Sequence, residues 1–287
     1  MKNTGNRSSK RGFTLIELLV VMGIIALLLA ILLPALGRAR ATAKRVKDST
    51  QIQQVHKGFI TLSIDLKGIY PTPGLIDRVG NTPGVGAEDL AMNTHGNMYS
   101  ACVMQNAFDT QSLVSPAEIS TNVLAMANYN FDAYNVVDPT NDSYWDPNMK
   151  SNLALLSHIS YGTNHLAGTR KAREWRDSKN SRFAIMGNRG VANGVLTPAI
   201  YNGSKTLGIH GGAKQWEGNI AFNDNHVVFE DKFQPDGIMT FTPAATPTAP
   251  PTVDNIFADD AVAATADSWL TMISAATAAG VQTVTWD

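Results

Sequence analysis

One carboxylate, Glu17, stands alone among non-ionisable side chains from residue 13 to residue 36. That stretch gives roughly 24 residues at ~1.5 Å rise, about 36 Å of helix against a ~30 Å hydrocarbon core. A charge at the centre of such a helix costs on the order of 2.5–3.5 kcal/mol, so the acid requires a cationic partner. Other residues offer weaker chemistry. Asp138, Thr140, Asp142 and Asp146 fall at positions 1, 3, 5 and 9 of a twelve-residue calcium loop, but Ser143 takes the glycine position and Met149 the bidentate-glutamate position. Calcium is therefore a secondary reading beside a solvated acidic loop, and no other cofactor is implied. His158 and His165 lie near one strand but lack a third ligand at a recognised spacing, so they read as structural. Cys102 is the only cysteine, which excludes an intramolecular disulfide and reads as a small buried apolar residue. There is no Gly-x-Ser-x-Gly, His-Glu-x-x-His or phosphate loop, and the chain reads as a non-enzyme.

Charge excludes another class. The net charge is −1 with 16% charged residues, which gives no global attraction to nucleic acid. The basic stretch 170–182 surrounds Trp175 but is interrupted by Glu174 and Asp177, and reads as a solvated loop.

The elements that position Glu17 come next. Residues 13–36 read as a transmembrane helix, and 37–67 as its amphipathic continuation. Ile52, Val55, Phe59, Leu62 and Leu66 recur at spacings of three and four along one face, with Gln51, Gln53, Gln54, His56 and Lys57 between them. Pro34 removes one backbone hydrogen bond and predicts a kink or local melting there. Gly68 reads as the C-cap of a helix ending at Leu66 and Lys67. Lys2, Arg7, Lys10 and Arg11 precede the apolar run, and Arg38, Arg40, Lys44, Arg45 and Lys47 follow it, so charge balance leaves orientation open.

Residues 68–241 read as a globular α+β head. Helices are predicted near 100–107 and 116–127, and strands at 183–186, 219–222 and 227–229. Asn223-Asp224-Asn225-His226 predicts a type I′ hairpin turn. A Pro/Thr-rich linker, 242–252, leads to a C-terminal segment, 253–287, whose Trp269, Ile273, Val284 and Trp286 need burial.

Lys10-Arg11-Gly12-Phe13-Thr14-Leu15-Ile16-Glu17 resembles the cleavage and methylation site of type IV pilins and type II secretion pseudopilins. That resemblance implies a cytoplasmic leader, 1–12, cut by a membrane prepilin peptidase between Gly12 and Phe13. It implies N-methylation of Phe13, and Glu17 as the acid that meets a neighbouring subunit's new amine. The fold implied is pilin-like: a long N-terminal helix, half in the membrane and half packed on an antiparallel sheet. The function implied is that of a structural filament subunit. Its partners would be the peptidase, identical and related subunits, membrane lipid and an inner-membrane assembly platform. Its place would be the inner membrane, single-pass with the head outside, and then an envelope or extracellular filament. Tyr70-Pro71-Thr72 resembles the tripeptide that follows the spine in major pseudopilins, which also lack the pilin disulfide.

The head resembles the pilin-like proteins named for a His-x9-Asp-Gly ending, abundant in planctomycetes. The residues concerned are His210-Gly211-Gly212, Asp224, the stretch 160–164 and Met186-Gly187-Asn188-Arg189. The sequence departs from that pattern: Gly211 replaces Pro, Asn225 replaces Gly, and the His210-to-Asp224 spacing is longer. A role in turn and cap is read for His210 and Asp224.

Three alternatives stand beside the filament reading: a Sec signal peptide cut after Ala39-Arg40-Ala41, a plain signal anchor, and a membrane-anchored extracytoplasmic protein that binds glycan or a cation. The sequence leaves pseudopilus against pilus open, along with major against minor subunit and the identity of any cargo.

Overall fold

The computed structural model describes residues 13–80, 82, 84–137, 142–212, 214–241, 252–259 and 267–287. Gly12, Asp138, Thr140 and residues 242–251 of the predicted linker lie outside this set. The chain divides into two units, one ending at Ala43 and the other spanning Lys44–Asp287.

One helix, Leu15–Ser63, contributes residues to both units. In the first, its most apolar 18-residue window has a mean hydropathy of 3.0 and no side chain buried within the chain. Phe13, Leu15 and Ile31 are 76%, 79% and 67% exposed. Surface of that kind is tolerated only in lipid or against other chains. The helix runs through Pro34 and Gly37 without interruption, so the predicted melting is absent. The loss is one N–H, and the surrounding Leu and Ala residues are strong helix formers.

In the second unit the same helix buries Asp48, Ile52, Val55, His56, Gly58, Phe59 and Ser63. Leu62 and Leu66 are half-buried. His56, which sequence grouped with the solvent-facing glutamines, is fully buried. The helix ends earlier than predicted, at Ser63, whose carbonyl accepts from Gly68 N at 2.8 Å while Lys67 and Gly68 take φ of 56° and 81°. This 6→1 bond across left-handed residues satisfies an orphan carbonyl.

The main sheet is five-stranded and antiparallel. Its order is Val227–Glu230, Gly218–Phe222, Ala184–Asn188, Tyr161–Asn164 and Leu270–Thr271. Two glycines lie where strands press close: a Cβ on Gly187 would come 2.7 Å from Asn219 O, and one on Gly162 would come 2.9 Å from Thr271 O. The last strand belongs to the C-terminal segment and pairs Thr271 with Thr163. The flanks of the undescribed 242–251 stretch also pair, Thr240 with Val253 and Phe241 with Thr252. Ile273 is buried, and Trp269, Val284 and Trp286 are half-buried.

Aromatic rings pack the buried face of the helix against the segments around Tyr70, Tyr99 and Trp175. Phe59 lies 5.7 Å from both Tyr99 and Trp175, centroid to centroid, and Tyr70 meets Trp175 edge-on at 5.4 Å. Such pairs add about 0.5–1.5 kcal/mol each beyond area burial. The fold is α+β: a long N-terminal helix, its second half packed on an antiparallel sheet.

Several local expectations change. The helix predicted near 100–107 spans His95–Met104, and its Thr94 cap accepts from Asn97 N at 3.2 Å. No helix forms over 116–127, because Ser115, Glu118 and Ser120 side chains accept from the backbone N–H groups of Ala117, Ser120 and Asn122. Those local bonds compete with a helical ladder. The hairpin turn has positive φ only at Asn225 (70°), with Asn225 N donating to Phe222 O at 2.8 Å. That is a three-residue loop with one left-handed residue, not type I′.

The stretch 170–182 is not a solvated loop. Gly168–Glu174 is helical, Trp175 is fully buried, Arg170 pairs with Asp259 and Asp267, and Lys171 pairs with Glu88. Two of its six cations are thus paired with acids from distant segments, while Arg173, Arg176, Lys179 and Arg182 stay on exposed positions.

Candidate functional site

The N-terminus of the helix is built from Thr14 and Glu17. Thr14 N and Thr14 Oγ1 donate to Glu17 Oε2 at 2.9 and 2.7 Å, and Glu17 N donates to Thr14 Oγ1 at 3.2 Å. This is a reciprocal capping box that satisfies two of the orphan donors of the first turn. Both bonds to the carboxylate use Oε2, and Oε1 has no partner among the described residues. The lone acid thus has a helix-starting role within one chain and a free oxygen beside it. Phe13 is exposed next to it.

The second feature lies in the Lys44–Asp287 unit, where the helix is locked to the sheet through Asp48. Asp48 is fully buried. Its Oδ1 accepts from Tyr161 Oη at 2.9 Å, and its Oδ2 accepts from Asn219 Nδ2 at 2.8 Å and lies 3.0 Å from His210 Nε2. Burial pushes the Asp48 carboxyl upward, but hydrogen bonds from His210, Ser115 and Asn219 outweigh it and hold the group below the usual range. Phe229 meets His210 edge-on at 5.9 Å and carries the Arg45 guanidinium over its face at 4.2 Å.

A neutral network lies about two turns along the helix, at His56. His56 Nε2 is 3.1 Å from Tyr70 Oη, and Tyr70 Oη donates to Asn223 Oδ1 at 2.6 Å. His56 Nδ1 is 3.1 Å from Asn225 Oδ1. Burial lowers the His56 pKa to about 4, which keeps the ring uncharged. Trp175 Nε1 donates to Pro71 O at 3.1 Å, so Tyr70-Pro71-Thr72 is held from both sides.

A third cluster gathers the 160–164 and 186–189 stretches. Arg189 is 2% exposed, and its guanidinium bonds both oxygens of Glu118 and lies 3.2 Å from Asp287 Oδ2. Ser160 Oγ donates to Glu118 Oε2 at 2.8 Å. Asn188 Oδ1 accepts from Asn219 N at 2.7 Å. Removing one member of a buried ion cluster costs about 3–5 kcal/mol, because the rest remains desolvated.

The other predicted residues separate. His210 and Asp224 take different partners: His210 reaches Asp48, whereas Asp224 bonds its near neighbour His226 at the turn. His158 Nδ1 accepts from Lys150 N at 3.1 Å, while His165 stacks on Trp269 at 4.6 Å. Asp146 is buried and accepts from Asn130 N, Asn148 N and Asn148 Nδ2, each at 2.9 Å. No group of three or more His, Cys, Asp or Glu is placed to hold a metal among the described residues. Cys102 is buried, and burial pushes its thiol up.

Sequence reasoning missed Asp48, Glu118 and Arg189 as a group. Asp48 had a usable signal, since it stands four residues before Ile52 on the apolar face. Glu118 and Arg189 are far apart in sequence and had none.

Residues 7–33 match the family model of the prokaryotic N-terminal methylation motif, so the chain carries the type IV pilin and pseudopilin signal. That signal and the apolar helix fit membrane anchoring and pilin-type export and assembly. No curated protein and no solved structure matches the chain.

Proposed function

We propose that the chain is a structural subunit of a type II secretion pseudopilus or type IV pilus-like filament, processed by prepilin peptidase and assembled through its N-terminal helix. One observation carries the reading: the methylation motif over residues 7–33 coincides with a helix whose most apolar 18-residue window finds no cover within the chain. Cleavage between Gly12 and Phe13 frees an amine that is largely cationic near pH 7. In the filament, Oε1 of a neighbour's Glu17 takes that cation while Oε2 keeps its capping bonds. Helix-to-helix contacts of this heterologous kind do not close, and so they build a filament. The Lys44–Asp287 unit then lies outside the cytoplasm, and subunits enter from an inner-membrane platform. The single cysteine and Tyr70-Pro71-Thr72 favour the pseudopilus.

Intact mass and N-terminal sequencing of the protein from native membranes test the processing. N-methylated Phe13 is the expected start, and a start at Met1 or Thr42 overturns the reading. Glu17→Ala is expected to be processed normally but excluded from filaments. Its normal incorporation would refute the role given to Glu17.

A further inference from the structure

Two depressions on the Lys44–Asp287 unit, of about 620 and 510 Å³, share Asn106, Phe108 and Asp109 and form one open groove. The larger is also lined by Asn128, Tyr129 and Phe131. Both volumes lie within the ~300–1,000 Å³ range of small-molecule sites.

The aromatic rings are held in place. Phe131 is 50% exposed and braced edge-on against Tyr129 at 4.8 Å. The Tyr129 hydroxyl donates to Ser100 O at 2.7 Å, and the Phe108 ring rests on Phe59 and Tyr99 at 6.0 and 6.2 Å. The polar groups are set out beside them. Asp109 Oδ1 accepts from Ser112 N and Oγ at 2.7 and 2.6 Å, which orients the carboxylate with Oδ2 unengaged. Asn106 is fixed at φ 57° with its N–H donating to Val103 O, and the side-chain amides of Asn106 and Asn128 have no partner among the described residues.

We propose that this groove binds a saccharide. A sugar ring has a C–H face that lies against an aromatic ring and an edge of hydroxyls that both donate and accept. Asn amides supply donor and acceptor side by side, and a carboxylate supplies acceptors. A purely apolar ligand would leave those groups desolvated and unpaired, at about 1–3 kcal/mol each. Charge also selects: Lys57 lines the smaller depression and Asp109 both, so the lining is balanced and favours a neutral glycan over a phosphate or polyanion. The inference is independent of the assembly reading, because the groove lies within one chain.

The test uses the full chain in a zwitterionic detergent, since maltoside and glucoside detergents are themselves sugars. Saturation-transfer NMR is run with cellotetraose, mannotetraose, chitotetraose and maltotetraose. At least one is expected to bind, with affinity reduced at least tenfold in Phe131→Ala and in Asn128→Ala. Both positions are exposed, so both variants are expected to keep the wild-type melting temperature. Silence from all four probes overturns the proposal. So does binding that neither variant weakens, or a groove that is covered only by another protein chain.

Discussion

Buried His56 and His95 and half-buried His165 make the Lys44–Asp287 unit sensitive to mild acid. Burial lowers His95 to about 3, and lowers His56 and His165 to about 4, from a reference of about 6.5. His95 cannot take a proton without breaking its surroundings. Its Nδ1 accepts from Ile273 N at 2.9 Å and its Nε2 lies 2.8 Å from Thr163 Oγ1. In the unfolded chain the three rings protonate freely below about pH 6.5, so the unfolded state binds more protons and stability is lost as pH falls. At pH 5 each histidine costs about 2 kcal/mol relative to pH 7, on the order of 6 kcal/mol for the three. Asp254 and Asp267 act with the opposite sign. Burial and their mutual proximity raise Asp254, and burial raises Asp267, so the folded state keeps a proton that the unfolded state releases. That contribution is present in acid and lost as pH rises, and it offsets part of the histidine loss. Urea unfolding of residues 44–287 at pH 7 and pH 5, followed by tryptophan fluorescence, is expected to show a net loss of several kcal/mol at constant slope. An unfolding free energy that stays flat over this interval, or imidazole Hε1 resonances of these three rings titrating near pH 6.5, would refute the reasoning.

Two further outcomes follow from the buried acids. His210→Ala removes one of the neighbours that hold buried Asp48 and is expected to destabilise the unit by about 3–5 kcal/mol in the same urea assay; a loss below about 1 kcal/mol would make the lock dispensable. Asp254→Asn is expected to flatten the alkaline limb of stability, because the amide supplies permanently the donor that a carboxyl loses as pH rises. An unchanged slope between pH 7 and pH 9 would show that the pair does not share a proton.

The helix was legible because its apolar residues are periodic, and the central strands because theirs form short continuous runs. Ile52, Val55 and Phe59 announce a face, and Ile220, Ala221 and Phe222 announce a buried strand. The methylation signal was legible because its residues are contiguous. What failed was non-local. His56 looks like its glutamine neighbours until Tyr70 and the turn around Asn225 close over it. Arg170 and Lys171 look solvated until acids at Asp267 and Glu88 arrive from distant segments. The unformed 116–127 helix was a local error, since Ser115 and Ser120 are residues that favour turns and caps.

The position of Leu270–Thr271 at the sheet edge has a consequence for the order of assembly. The Tyr161–Asn164 strand cannot complete its hydrogen bonds until this late strand is made. The Ile273 N–H that His95 receives comes from 178 residues further along the chain. Such long-range closures slow folding, and an unpaired strand edge invites pairing with other chains in the meantime. A chain that emerges amino-terminus first therefore has its anchor in place well before its head can close. The Tyr161–Asn164 edge therefore stays open to other chains throughout that interval, and only the arrival of Leu270–Thr271 closes it.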